Sequence, residues 1–579
     1  MPAAKSEEGC ARGCIVSTIS PDMANGTKII VPLLVAGLAL GAGTSAVAAT
    51  PAGRIDAPRM AAVGDEPGQW LTTGRDGGKT HYSPLDQVNT RNVDRLGYAW
   101  LFDTGTNRGM EATPVVVDGV LYASGVSGRV YALDAKTGAL RWRFEPQVDL
   151  RNARDACCDL VNRGVAVWRG KVYVGTFDGY LHALDARTGR VLWRVDTIED
   201  RRLAYSVTGA PQVAGRVVVI GNGGAEFESR GYVSGYDLDT GRRVWRFHTV
   251  PGNLAQPQDN AALERAAKSW QGANLGFGGG GNAWDAFNYD PELDLVYFGT
   301  ANGAPGSRTL RDPGNGDNLY VASIVALHAA TGEYAWHYQQ TPGDGWDFDA
   351  TTHLLLAALP VAGRERKVLM QASKNGFFYV LDRRTGELLA ADPFVDQNWA
   401  SHVDLESGRP VENSAQVDYR DGKPKLVFPS GVGAHNFNPM SFSARTGLVY
   451  IPTVHTGAAM TPGANGAVQI AFGPMLANPD ALSPALRSLL NPEFLKSQPT
   501  LKPSAALKAW DPVRKEVRWS VPNLDFSDHA GVLSTGGGLV VQGGIDGVLR
   551  VYRDSDGQLL KQVELGTAMI AAPATYLVD

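Results

Sequence analysis

Cysteine is scarce in this chain of 579 residues: there are four, and no two of them stand in a Cys-x-x-Cys-His arrangement. A haem c attached to this chain is thereby excluded. Long apolar runs are missing as well. The apolar stretch from Ile29 to Leu40 covers 12 residues, short of the roughly 20 that a membrane-spanning helix needs. Nor is there a surplus of positive charge, since 54 Lys and Arg face 59 Asp and Glu for a net charge of -5. A nucleic acid is therefore a poor partner, and small molecules or proteins are the better expectation. With 44% hydrophobic and 20% charged residues, the composition is that of a folded protein and not of a disordered one.

What the chain has in excess is glycine. There are 68, well above the usual ~7%, and they recur in turn contexts such as "SGVSGRV", "GTFDGYL" and "GGIDGVL". Many short strands joined by tight turns are the expectation.

The N-terminus separates from this pattern. From Met23 the chain runs through Lys28 and the apolar segment to Ala46-Val47-Ala48, the order of a secretory signal with an A-x-A cleavage site. Residues 1–49 read as an upstream leader (1–22) followed by a signal peptide over 23–48 or 23–49. An exported domain is expected over 50–579. Cys10 and Cys14 fall in the leader, the alternative for them being a metal or redox pair. The exported domain then keeps Cys157 and Cys158, which are adjacent, and in an oxidising compartment two cysteines normally pair. As a staple such a bond does little, because the loop it closes is minimal. Adjacent Cα atoms are also only about 3.8 Å apart, below the usual disulfide range of about 4.4–6.8 Å.

Internal repeats decide the architecture. Seven segments align: "ALDAKTGALRW" (132–142), "ALDARTGRVLW" (183–193), "GYDLDTGRRVW" (235–245), "ALHAATGEYAW" (326–336), "VLDRRTGELLA" (380–390), "AWDPVRKEVRW" (509–519) and "VYRDSDGQLLK" (551–561). Each reads as strand, turn, strand, and most follow a further strand and turn. The first three recur about every fifty residues, which matches a propeller blade and not a helical solenoid. The two longer gaps leave room for a further degenerate blade or for insertions. The expected fold is all-β, an eight-bladed β-propeller of four-stranded antiparallel blades. The repeated tryptophans are expected to be packing anchors between blades.

Five motifs occur in order: "QWLTTGRDGGKTHYSPLDQVNTRNVDRL", "CCDLVNRG", "GNGGAEF", "GTANGAP" and "TPGDGWDFDATTH". Together they resemble the pyrroloquinoline quinone (PQQ)-dependent alcohol dehydrogenases, from about Trp70 to the end of the chain. The resemblance implies a quinoprotein domain over 50–579 that oxidises an alcohol to an aldehyde or ketone in the periplasm. A flat, tricarboxylated cofactor needs two flat walls, cations for its carboxylates and a metal to polarise its reactive carbonyl. By resemblance, Trp284 stacks on one face and the Cys157–Cys158 pair covers the other. Glu111, Arg163, Thr208, Gly224, Ala225, Lys374 and Asn436 carry over as further cofactor contacts, with Arg163 and Lys374 pairing with carboxylate or quinone oxygens. Glu226, Asn302 and Asp347 carry over as metal ligands, and their hard oxygens suit Ca²⁺ and not Zn²⁺. Asp347 is also the implied general base. Asp349 stands where family members that use a lanthanide have a second aspartate, so the metal is expected to be Ca²⁺ or a lanthanide ion.

The sequence departs from the family at Asn282, usually threonine, at Phe437, usually tryptophan, and in "NGAPGS", which lacks a following aromatic. It ends at Asp579, where relatives continue through a glycine-rich, tryptophan-containing strand. An incomplete last blade is the corresponding expectation. Without a haem motif, electrons are expected to leave to a separate cytochrome c or another acceptor. The segment 456–500 is expected to shape the entrance. Two rival readings are a cofactor-free propeller that serves as a protein-binding scaffold, and an inactive relative of the enzymes.

Overall fold

A single turn chemistry recurs through the fold. Asp134 Oδ1 accepts hydrogen bonds from the backbone N–H groups of Lys136 and Thr137 and from the Thr137 hydroxyl. This side-chain cap reverses the chain between strands Val130–Asp134 and Leu140–Phe144. Asp185 with Thr188, Asp237 with Thr240 and Asp382 with Thr385 repeat it. The chain is described here from a computed structural model over residues 52–578, except 151–157, 273–274, 464–465, 524–529 and all but two isolated positions of 473–503, together with the backbone of Cys14–Thr18.

All seven repeats are antiparallel hairpins, from Val130–Asp134 with Leu140–Phe144 to Val548–Arg553 with Leu559–Glu564. Each supplies the last two strands of a sheet. Among the described residues there are six four-stranded sheets and one five-stranded sheet, each a meander in chain order apart from one added strand. That strand, Tyr82–Ser83, pairs in parallel with Val532–Thr535 and so ties the beginning of the domain to its last sheet. The backbone of Cys14–Thr18, in the stretch read as leader, pairs antiparallel with Tyr98–Asp103. The all-β expectation holds, and the four-stranded antiparallel sheets are those of a propeller.

The second strands, such as Val120–Ser124, Val217–Gly221 and Leu295–Gly299, are buried along their whole length. Their continuous apolar character follows from having a neighbouring sheet on either face. Last strands such as Leu140–Phe144 and Val191–Asp196 are largely open to solvent.

The tryptophans at the ends of the repeats lock one sheet to the next, as expected. Trp142 Nε1 donates to the Ala186 carbonyl (3.0 Å), Trp193 to Leu238 (3.2 Å), Trp245 to Ala329 (2.8 Å) and Trp519 to Asp554 (2.9 Å). Each indole lies flat on the turn glycine of the following sheet: Trp142 on Gly189, Trp193 on Gly241, Trp245 on Gly332, Trp336 on Gly386 and Trp519 on Gly557. Trp100, in the strand Tyr98–Asp103 that belongs to none of the seven sheets, docks on Gly138 of the first sheet in the same way. Beside it, a cavity of about 370 Å³ lined by Trp100, Leu121, Leu533, Val541, Met569 and Tyr576 separates the first sheet from the last.

The lock is testable at Gly332. A Cβ there stands 2.6 Å from Trp245, whereas one at Gly363 meets nothing within 4 Å, and φ is nearly the same (74° and 76°). Gly363→Ala is expected to lower stability by the backbone penalty alone, about 1–2 kcal/mol. Gly332→Ala adds an overpacking cost of about 1–3 kcal/mol. Urea unfolding of the two variants reads the difference, and equal losses would contradict the docking role of Trp245.

Candidate active site

The loops that lead into the first strands of successive sheets gather the candidate residues. Glu111 precedes Val115–Val117, Arg163 precedes Ala166–Trp168, and Thr208 precedes Gln212–Ala214. Trp284 precedes Asn288–Asp290, Asp347 and Asp349 precede Leu355–Val361, and Asn436 precedes Ser441–Ser443. Lys374 lies in the turn between Arg364–Ala372 and Phe377–Asp382.

Trp284 joins two clusters. On one side its Nε1 donates to Asp349 Oδ2 (3.2 Å). Lys374 Nζ donates to that same oxygen (2.9 Å) and also to Asp347 Oδ2 (3.3 Å) and the Asp347 carbonyl (3.2 Å). The other oxygen of Asp349 accepts the backbone N–H of Asn302 (2.6 Å). On the other side the Arg163 guanidinium lies 4.9 Å from the Trp284 ring centre and 4.7 Å from that of Phe437. Arg163 Nε stands 3.0 Å from Glu111 Oε2, and Nη1 donates to Thr208 Oγ1 (2.8 Å). The Phe437 that departs from the family pattern thus clamps this arginine against Trp284.

The two aspartates differ in accessibility. The Asp349 side chain is 5% exposed and fully engaged, whereas that of Asp347 is 40% exposed. Asp347 sits at φ 70°, in the left-handed region. Gly431 packs on it, since a Cβ there would stand 2.9 Å from the Asp347 Cβ. A carboxylate that is reachable, fixed and beside an ammonium can exchange a proton with a ligand, which its buried neighbour cannot do as readily.

Acceptors for a hard cation are present. Asn302 Oδ1 is buried with no hydrogen-bond partner, which in a folded interior calls for a ligand or water. It shares the loop contact with Asp349 and, through Lys374, the neighbourhood of Asp347. The Glu226 backbone lies in the turn Ala225–Phe227, but its side chain lies outside the described residues. No group of three His, Cys, Asp or Glu forms a metal cluster among the described residues. The donors gathered here, an amide oxygen and two carboxylates, fit Ca²⁺ or a trivalent ion better than a soft metal.

Gly224 takes φ 116°, and its carbonyl accepts from Ser229 Oγ (2.5 Å), while Ala225 is buried. Asn436 uses its side chain within its own loop, donating to Val432 O (2.7 Å) and accepting from Phe437 N (2.8 Å). Asn282, another departure, donates to Ser229 Oγ (2.9 Å). Cys158 is exposed and disulfide-bonded, and its neighbour Asp159 pairs with Arg108. Cys157 lies outside the described residues, as does most of the second half of the 456–500 segment.

A buried polar group that the motifs do not single out adjoins Arg163. Lys79, His81, Asp285 and His353 line a cavity of about 50 Å³ together with Glu111 and Arg163, room for a few waters. The His81 and His353 rings meet edge to face at 5.1 Å. Burial, aided by the Lys79 charge, pushes His81 down to about 3, and burial lowers Lys79 to about 8 against the attraction of Asp285.

Comparison with known proteins identifies the class. Residues 70–392 match the family described as "PQQ: Glucose/ethanol/alcohol dehydrogenase, beta-propeller domain". The chain is 47% identical over 542 residues to quinohemoprotein alcohol dehydrogenase ADH-IIG of Pseudomonas putida, covering 93% of this chain and 74% of the relative. It is 43% identical over 540 residues to the quinohemoprotein alcohol dehydrogenase of Comamonas testosteroni, covering 93% and 75%. The solved structure of ADHIIG superposes with a TM-score of 0.86 at 45% identity, covering 92% of this chain and 77% of that one. A europium-containing methanol dehydrogenase superposes with a TM-score of 0.77 at 33% identity, covering 90% and 89%. The chain belongs to the PQQ-dependent alcohol dehydrogenases, and it is an oxidoreductase of that family, whose members use PQQ with Ca²⁺ or a lanthanide ion.

The buried histidine gives a pH prediction. Between about pH 6.5 and 3 the unfolded chain binds a proton at residue 81 that the folded chain refuses, so stability falls as pH falls through that window. The slope is about 1.4 kcal/mol per pH unit for each such group. His81→Asn suits the residue's positive φ of 49° and removes the titration. Urea midpoints of the variant from pH 6 to pH 4 are expected to fall less steeply than those of the wild type. Parallel slopes would contradict the burial of a neutral His81.

Proposed function

We propose that the chain is a periplasmic alcohol dehydrogenase in which Asp347 is the general base and Trp284 the floor of the cofactor cleft. The observation that carries this reading is the contrast between the two aspartates: one partly open to solvent, the other buried in a hydrogen-bonded node with Lys374, Trp284 and Asn302.

Asn302 Oδ1 and the carboxylates of Asp347, Asp349 and Glu226 would hold the metal. When bound, PQQ supplies the two-electron acceptor, and the metal makes its carbonyl more electrophilic. Trp284 offers the flat face, opposite a Cys157–Cys158 platform. Arg163 and Lys374 supply cations for the cofactor's anionic oxygens, and Glu111 and Thr208 hold the Arg163 fork in place. Gly224, Ala225 and Asn436 shape the remaining wall. Asp347 would take the alcohol's hydroxyl proton at its partly exposed carboxylate, and the hydrogen on carbon with its electron pair would go to the bound two-electron acceptor. The carboxylate then returns the proton to water through the same opening. Electrons pass to a separate cytochrome c or a comparable acceptor. Support comes from a relative named "1-butanol dehydrogenase (cytochrome c)" in Thauera butanivorans, 41% identical over 521 residues.

Eight blades are part of the same proposal. Trp100 docks on Gly138 as the other tryptophans dock on their glycines, so Tyr98–Asp103 holds the position of a last strand in a blade ahead of the first sheet.

Reconstitution with PQQ and either Ca²⁺ or La³⁺, followed by dye reduction across a panel of alcohols, tests the proposal. Asp347→Asn is expected to lower kcat by about 10²–10⁴-fold while PQQ remains bound. Asp349, as an added anionic ligand for a +3 ion, predicts higher activity with La³⁺ than with Ca²⁺, and Asp349→Ser is expected to abolish that preference. Full activity with Ca²⁺ and no gain from La³⁺ would contradict the lanthanide reading. No dye reduction with either metal would contradict the enzyme reading.

A further inference from the structure

Arg311 is fully buried, yet it belongs to none of the candidate ligands. It ends the one-turn helix Arg308–Arg311. Its Nε donates to Asn318 Oδ1 (3.0 Å), and Nη1 donates to the carbonyls of Pro305 (2.9 Å) and Gly306 (3.3 Å). Nη2 donates to the carbonyl of Asp344. These contacts reach both loops that carry metal candidates. Gly303 follows Asn302 directly, and a Cβ there would stand 2.6 Å from Arg311 Nε, so the guanidinium lies flush on that backbone. On the other side, Asp344 Oδ1 accepts the amides of Trp346 (3.2 Å) and Phe348 (3.1 Å), tightening the turn that displays Asp347 and Asp349.

Burying a cation is expensive, and apolar residues of similar volume often serve stability as well or better. What a buried arginine offers is a planar fork that holds several acceptors in fixed relation, which a lysine cannot reproduce. Here the acceptors belong to two loops whose spacing a metal would sense. We infer that Arg311 is a positioning residue for the metal: it fixes the span between Asn302 and the Asp347–Asp349 turn. The inference rests on the metal reading proposed above for those residues. Residues that orient ligands from behind typically alter metal affinity by about 10–100-fold when replaced.

The test uses PQQ-loaded protein titrated with Eu³⁺, reading affinity by luminescence and bound water from lifetimes in H₂O and D₂O. Arg311→Lys is expected to bind Eu³⁺ at least about 10-fold more weakly, with more bound water. Asn318→Gly, which suits that residue's positive φ of 58° and removes the Nε acceptor together with the Nδ2 hydrogen bond to Asp312 (2.6 Å), is expected to show a smaller loss, and it keeps the inference testable if Arg311→Lys fails to fold. Arg383→Lys is the control. That arginine pairs with Asp290 at 2.8 Å, and the strand Phe377–Asp382 separates it from the Lys374 turn. Its Eu³⁺ binding is expected to match the wild type. Wild-type affinity and lifetime in Arg311→Lys or Asn318→Gly, whatever happens to Tm, would overturn the inference. If Asp349→Ala also kept wild-type affinity, or the wild type bound no Eu³⁺, the metal reading itself would fall with it.

Discussion

The seating of a tryptophan on the turn glycine of the next sheet is the constraint on which the rest of this fold depends. A single antiparallel sheet of this length cannot bury both faces of strands as apolar as Val217–Gly221 or Leu295–Gly299. It needs a neighbour at a fixed angle and spacing. The indole sets that spacing, because it stacks on a position without a side chain and donates to a carbonyl in the same turn. A full Trp side chain buries about 150–250 Å², so each such lock carries a large share of the interface between sheets.

That arrangement brings the loops before successive first strands together, and the chemistry is built from them. Each sheet contributes one or two side chains, none of which could form a site alone. Each charge has a partner of opposite sign: Arg163 faces Glu111, and Lys374 faces Asp347 and Asp349. Unpaired, any of these groups would be costly to bury. Paired, they form two clusters on either side of Trp284, Arg163 balanced by Glu111 and Lys374 outweighed by two carboxylates, so the second keeps a negative charge that suits a cation.

Much of this was legible in the residues. The Asp-x-x-Thr-Gly turns and closing tryptophans are a repeated local chemistry, so seven hairpins could be located from the sequence, and the family resemblance picked out Trp284, Asn302, Asp347, Asp349 and Lys374, which the structure joins. What was not legible has no period and no motif. Arg311 reads as one more charged residue in a short polar segment, and only its four acceptors across two loops reveal its role. Lys79, His81, Asp285 and His353 are similarly ordinary in sequence, because their burial depends on contacts made between distant segments. The difference in accessibility between Asp347 and Asp349, two residues apart, is likewise a property of the packed turn and not of the motif.

The most direct test of the account is a crystal structure of the protein loaded with PQQ and La³⁺, with the metal located by anomalous scattering. The account predicts a peak within about 2.3–2.6 Å of carboxylate oxygens of Asp347 and of Asn302 Oδ1, with the cofactor ring lying on Trp284. A metal peak away from Asp347 and Asn302, or a cofactor that leaves the Trp284 face bare, would contradict it.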